Sequence, residues 1–90
     1  KARPTMAKVE IYTSMACPYC TRALHLLKAK QADVEQIDVT LSSALRDTMR
    51  RRANGRASVP QIFINGDHIG GCDDLMSLDR AGHLDALLAS

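Results

Sequence analysis

The sequence predicts an α/β domain with the element order β-α-β-α-β-β-α, in which helices flank a four-stranded mixed sheet. Ninety residues, 46% of them hydrophobic, suffice for one small core and leave no room for a second. Short alternating or β-branched stretches take turns with stretches whose apolar residues are three or four positions apart. A strand–helix–strand crossover implies parallel neighbours, whereas a later tight turn implies an antiparallel pair.

The first half of the chain carries two strand–helix units. Lys8–Thr13 alternates in polarity and is rich in β-branched and aromatic residues, which is typical of a half-buried strand. Pro18–Lys30 is predicted as a helix, because proline at the first helical position loses no hydrogen bond. Val34–Val39 forms the second short strand. The second helix follows, with Ser42 or Ser43 as its N-terminal cap.

The second half predicts a hairpin and a final helix. Gln61–Ile64 is the third strand, and Asn65–Asp67 is a tight turn into the fourth strand, His68–Gly70. The last helix begins near Asp73. Gly82 interrupts it, and the leucines that follow close the core.

Charge and composition exclude several classes of function. Of the 12 Lys and Arg, Lys1 and Arg3 precede Met6, so the remainder balances the ten Asp and Glu. We therefore expect residues 1–5 to be an added or disordered extension and residues 6–90 to be the domain. A neutral domain with three aromatic residues does not suit nucleic acid, and no apolar run approaches the roughly 20 residues that cross a bilayer. Arg51 and Arg52 are expected on a solvated face. Without a leader sequence, the predicted location is the cytoplasm.

The pair Cys17 and Cys20 lies where the first strand meets the first helix. A thiolate at a helix N-terminus faces unpaired N–H groups and the positive end of the helix dipole. Lowering a thiol pKa from ~8.5 to about 6 requires roughly 3.4 kcal/mol, whereas the dipole supplies about 2 at most. Direct N–H···S bonds from Tyr19 and Cys20 are expected to supply the rest. Cys17 is predicted to attack, and the more buried Cys20 to resolve the mixed disulfide.

Two other interpretations of the cysteines are weaker. Two inert core cysteines would not need a strand–turn–helix junction with a proline between them. A structural zinc site needs four ligands, and Cys72 with the isolated His25, His68 and His83 forms no second Cys-x-x-Cys pair. We therefore predict no metal site.

Three motifs together resemble the dithiol glutaredoxin family: Cys17–Cys20 (CPYC), Ser58–Pro60 (SVP) and Gly70–Leu75 (GGCDDL). The resemblance spans residues 8 to about 88. It implies a thioredoxin-like fold and a glutathione-dependent thiol–disulfide oxidoreductase with Cys17 and Cys20 as its redox-active pair. It also implies that Pro60 is cis, so that the backbone of Val59 lies beside Cys17 and pairs with an extended substrate.

The resemblance further implies a glutathione site. The backbone N–H groups of Cys72 and Asp73 would bind the γ-glutamyl carboxylate, and the Asp73 side chain would meet the ammonium group. The ring of Tyr19 would border the groove. Arg46 best matches the position that binds the glycyl carboxylate, with Arg50 one turn later as its substitute. Ser14 stands where the family usually has a lysine.

Partners follow from the same resemblance. Glutathione is the expected reducing co-substrate, with electrons from NADPH through glutathione reductase, and no tightly bound cofactor is expected because the chain has no nucleotide-binding fingerprint. Expected substrates are disulfide-containing or glutathionylated proteins, ribonucleotide reductase among them, and the chain is expected to act as a monomer. The alternative is a dimeric carrier of a glutathione-ligated [2Fe–2S] cluster.

Overall fold

The computed structural model describes residues 7–90, so the predicted extension over residues 1–5 lies outside the described part. The elements are β1 (Lys8–Thr13), α1 (Pro18–Ala29), β2 (Asp33–Asp38), α2 (Ser43–Arg52), β3 (Gln61–Ile64), β4 (Asp67–Gly70), α3 (Cys72–Arg80) and α4 (Leu84–Leu88). None of the helices in this described part has the length and apolarity needed to cross a bilayer.

The four strands form one mixed sheet in the order β2-β1-β3-β4. The pair β1–β2 is parallel, with Tyr12 opposite Ile37, as the first crossover predicts. The pairs β1–β3 and β3–β4 are antiparallel. The predicted fold is confirmed, and the sheet places the carboxyl end of β1 beside the start of β3.

Helices cover both faces of the sheet because the strands alternate their side chains between two apolar clusters. On one face, Val9 and Ile11 pack with residues of α1, α3 and α4. On the other, Tyr12 and Phe63 pack with Met49 of α2. The start of α1 is thereby fixed by its own buried face, beyond the end of β1.

The C-terminal helical region divides at Gly82, whose φ of +79° suits glycine, into α3 and α4. Lys30, at the end of α1, connects the two parts. Its ammonium group lies 2.9 Å from a carboxylate oxygen of both Asp79 and Asp85. These contacts raise the pKa of Lys30, with Asp85 as the largest cause.

The prediction for the arginines at the end of α2 is half wrong. Arg51 is exposed, as expected. Arg52 instead folds back across the sheet, where it donates to both carboxylate oxygens of Glu10 at 2.8 and 3.1 Å and to the Tyr12 hydroxyl at 2.8 Å. Its guanidinium also lies 4.1 Å from the centre of the Phe63 ring. Local spacing cannot show such a pair, because Glu10 belongs to a distant strand.

Candidate active site

The two cysteines lie at the junction between β1 and α1. Cys17 is the N-cap residue of α1, in extended conformation, and Pro18 occupies the first turn. Cys17 and Cys20 form a disulfide, with their Cα atoms 5.2 Å apart, within the range that a disulfide accepts. Ala16, the last residue of the loop before Cys17, adopts the left-handed backbone conformation, with φ of 53°.

Backbone geometry distinguishes the two sulfurs. The N–H of Cys20 donates to Cys17 Sγ at 3.2 Å, one of the two bonds that the sequence predicts. Within the described chain, the N–H of Tyr19 makes no such bond. Cys20 is buried on the inner face of α1, at 3% exposure, whereas Cys17 is only partly buried. An external sulfur can therefore reach Cys17 and not Cys20.

The turn before β3 lies directly beside the disulfide. The Val59–Pro60 peptide bond is cis, as the motif predicts. The carbonyl oxygen of Val59 lies 3.9 Å from Cys17 Sγ. Behind the turn, the buried Gln61 amide donates to the carbonyl oxygen of Ser58 at 3.0 Å, and its own oxygen lies 2.7 Å from the ring of His68. The turn is thus held from inside the sheet.

A groove extends from this turn towards the start of α3. Its lining residues come from α1, from the loop before β3 and from the first turn of α3: Tyr19, Arg56, Ser58, Val59, Pro60, Gly71, Cys72, Asp73 and Asp74. One wall carries the exposed ring of Tyr19, with the guanidinium of Arg22 5.7 Å from its centre. The opposite wall is the N-terminus of α3, where backbone N–H groups favour an anion.

The start of α3 is fixed by a chain of polar contacts. The Asp74 carboxylate accepts a hydrogen bond from the Gly71 N–H at 2.8 Å and lies 3.1 Å from a guanidinium nitrogen of Arg56. The hydrogen bond from Gly71, and after it the hydrogen bond and charge of Arg56, lower the pKa of Asp74 against the opposing effect of burial. Gly70 is required beneath these side chains, because its φ is +120° and a Cβ there would collide with the Asp74 carboxylate.

Two further titratable groups lie near the groove. Burial raises the pKa of the Cys72 thiol, and the nearby Arg22 charge only partly offsets this. Burial, together with the charge of Arg56, lowers the pKa of His68. Both groups therefore favour their neutral forms at neutral pH.

The structure brings most of the predicted site residues together, but not all of them. Tyr19, Val59, Pro60, Cys72 and Asp73 line one groove. The predicted Arg46 is not among them, because it lines a separate groove with residues of α2 and Ala57.

Two charged residues of the groove, Arg56 and Asp74, were not predicted as ligand-binding residues. Asp74 lies within the GGCDDL motif, but only Cys72 and Asp73 of that motif were expected to contact the ligand. The signal that could have found Arg56 is a basic residue just before the SVP motif, in a loop without periodicity.

Comparison with known proteins decides the family. The glutaredoxin family model matches residues 9–69, which include both cysteines and the cis-proline turn. The chain belongs to the glutaredoxin family. It is 52% identical to glutaredoxin 3 of Escherichia coli over 83 residues, covering 92% of this chain and 99% of that protein. A probable glutaredoxin of Synechocystis is also 52% identical, over 93% of this chain and 96% of the relative.

Solved glutaredoxin structures agree with the architecture. The solution structure of glutaredoxin from Brucella melitensis has a TM-score of 0.82 at 48% identity, covering 94% of this chain and 91% of that one. The buckwheat glutaredoxin–glutathione complex has a TM-score of 0.82 at 30% identity, covering 93% and 78%. The thioredoxin-like fold is confirmed, and the chain is a glutaredoxin-type oxidoreductase.

Proposed function

We propose that this glutaredoxin is a glutathione-dependent oxidoreductase that reduces protein disulfides and glutathione mixed disulfides through Cys17 and Cys20. One observation carries the proposal: the accessible sulfur of Cys17 lies 3.9 Å from the carbonyl oxygen of Val59, and Val59 lines a groove together with the N-terminus of α3. If the sulfur of glutathione lies at Cys17, its γ-glutamyl carboxylate would reach the N-terminus of α3.

Glutathione removal from a protein thiol requires one sulfur of the enzyme. The Cys17 thiolate attacks the glutathione sulfur, the sulfur–sulfur bond of the substrate breaks, and the protein leaves as a thiolate that takes a proton from water. A second glutathione thiolate then attacks the Cys17-bound glutathione, which releases glutathione disulfide and restores the Cys17 thiolate. The N–H of Cys20 supports each of these thiolate states.

Reduction of a protein disulfide requires both sulfurs. The Cys17 thiolate attacks one sulfur of the substrate, and the other sulfur leaves as a thiolate. The Cys20 thiolate then attacks Cys17 within the mixed disulfide, which releases the second substrate thiolate and forms the Cys17–Cys20 disulfide. Two glutathione molecules reduce this disulfide and leave as glutathione disulfide. The burial of Cys20 restricts its attack to the bond already formed at Cys17.

The groove suggests how glutathione lies. The cysteinyl backbone of glutathione would pair with the backbone of Val59, and the turn at Pro60 would keep the Val59 backbone groups accessible to the substrate. The γ-glutamyl carboxylate would accept from the N–H groups of Cys72 and Asp73, and the exposed Asp73 carboxylate would meet the ammonium group. Tyr19 would cover the peptide with its ring. The buckwheat relative, whose structure is a complex with glutathione, supports this choice of ligand.

The wider setting of the reaction belongs to the same proposal. Glutathione reductase and NADPH would supply the electrons, with no tightly bound cofactor on this chain. Glutathionylated and disulfide-containing proteins, ribonucleotide reductase among them, would be substrates of a monomer in the cytoplasm.

Separate cysteine variants test the proposal. In an assay coupled to glutathione reductase and NADPH, Cys17→Ser should abolish both reactions, because every step begins at its sulfur. Cys20→Ser should keep the removal of glutathione from a small mixed disulfide and lose most reduction of a protein disulfide. Arg51→Gln, at an exposed position of α2 outside the groove, is the control and should keep both activities. Equal and complete loss in the Cys17 and Cys20 variants would contradict the division of roles.

The alternative of a cluster-carrying dimer has its own test. Among residues 7–90, no three His, Cys, Asp or Glu side chains are grouped so that they could hold a metal ion. A cluster would thus need thiolates from glutathione and a second chain. Anaerobically purified protein should be colourless under the oxidoreductase proposal, and a brown sample with visible absorption would support the carrier.

A further inference from the structure

We propose that Arg56 is a positioning residue for glutathione: by neutralising Asp74 and holding its carboxylate against Gly71, it lets the start of α3 accept the γ-glutamyl carboxylate. The inference rests on the proposed function. It concerns a residue for which the sequence predicts no role.

The start of α3 carries negative charge that Arg56 partly neutralises. Its backbone N–H groups favour an anion, but its first turn also carries the carboxylates of Asp73 and Asp74. Asp73 would be matched by the ammonium group of the γ-glutamyl residue. Asp74 would remain as an unmatched negative charge close to the incoming carboxylate. Arg56, 3.1 Å from Asp74, supplies the matching positive charge.

The ion pair connects two of the segments that line the groove. Arg56 belongs to the loop before the cis-proline turn, whereas Asp74 belongs to the first turn of α3. The guanidinium lies against the backbone of Gly70 and Gly71: its nitrogens would be 3.0 and 3.5 Å from a Cβ at those two positions. The same Asp74 oxygen that contacts Arg56 also accepts the Gly71 N–H at 2.8 Å.

The pair is too exposed to matter much for folding. The side chains of Arg56 and Asp74 are 47% and 48% exposed. Ion pairs at such positions contribute little to stability because water screens them. A variant of Arg56 should therefore fold normally, so that its effect on the reaction can be measured without an effect on the fold.

The test compares two chromogenic mixed disulfides in single-turnover reactions with the reduced protein. One carries glutathione, and the other carries cysteinylglycine, which lacks the γ-glutamyl group. Arg56→Gln should lower the second-order rate constant for the glutathione substrate by about fivefold, the effect of a weak charge pair. It should leave the rate with the cysteinylglycine substrate unchanged. Arg51→Gln, which removes one positive charge from the outer face of α2, is the control.

Compensation gives the sharper outcome. In Arg56→Gln/Asp74→Asn the unmatched charge is gone, and the asparagine oxygen can still accept the Gly71 N–H. The double variant should therefore react faster with the glutathione substrate than Arg56→Gln alone, and Arg56→Lys should keep most of the rate. Equal losses with both substrates, a double variant no faster than the single one, or no loss in Arg56→Gln would each overturn the inference. A wild-type protein that does not react with the glutathione substrate would instead refute the proposed function.

Discussion

The contact between α2 and the sheet through Arg52 predicts a large and pH-dependent loss of stability in Arg52→Met. The variant keeps helix propensity, but it removes three hydrogen bonds, two of them to Glu10, and the cation–π contact of the guanidinium with the Phe63 ring. The side chains of Arg52 and Glu10 are 29% and 24% exposed. Their contribution to the free energy of unfolding should therefore lie between that of a surface ion pair, ~0–1 kcal/mol, and that of a hydrogen bond to a charged group, ~1.5–3 kcal/mol. We expect a loss of about 2 kcal/mol, or roughly 10 °C in Tm for a domain of this size.

The pH dependence follows from Glu10. The hydrogen bond from Arg52 is the largest cause that lowers the pKa of this carboxyl below its ordinary value of 4.5. Because the folded pKa lies below the unfolded one, the stabilisation is complete above pH 4.5 and is lost as the pH falls through the folded value. The wild type and Arg52→Met should therefore differ most near neutral pH and less in acid, where only the contacts with Tyr12 and Phe63 remain to distinguish them. Thermal unfolding monitored by circular dichroism at several pH values measures both trends.

Arg51→Met is the matched control. The residue is adjacent and exposed, and the one hydrogen bond of its guanidinium within residues 7–90 goes to the Thr48 hydroxyl, at 3.4 Å. Its Tm should change by less than about 2 °C, as expected for a surface substitution. Equal Tm values for the two methionine variants would refute the reasoning, and so would a difference between wild type and Arg52→Met that does not become smaller at low pH.

Four further outcomes follow from contacts elsewhere. Lys30→Met should destabilise α4 in particular, so its amides should exchange faster with deuterium than those of α1, because the links to Asp79 and Asp85 are lost. Gly70→Ala should lower both Tm and activity, since the new Cβ collides with the carboxylate that caps α3; an unchanged Tm would show that the collision is relieved. Cys72 should be alkylated much more slowly than Cys17 in reduced, folded protein at neutral pH, because burial favours its neutral thiol, and mass spectrometry after limited alkylation can rank the two sites. Ser14→Lys should lower the apparent KM for glutathione, because the lysine would place a positive charge near the glycyl carboxylate of glutathione. An unchanged KM would show that a cation at this position does not help to bind that carboxylate.

Local pattern was sufficient for the elements and for the reactive pair. Alternation in Lys8–Thr13 and the proline after Cys17 are short-range signals, so their predictions needed no tertiary information. The misassigned Arg52 and the unpredicted Arg56 have a common cause. Each acts through a carboxylate on another element, and the chain separations of 42 and 18 residues leave no trace in helical or strand periodicity.

The outer strand β2 has a consequence for how molecules of this protein meet each other. It lies at one rim of the sheet, with the acidic Asp33, Glu35 and Asp38 among its exposed residues. Another copy that aligned its own β2 here would bring carboxylates of the two strands close together, which opposes continuous strand addition. The opposite rim, β4, is only four residues long and offers a short template. Concentrated solutions should for this reason resist fibrous aggregation through the native sheet.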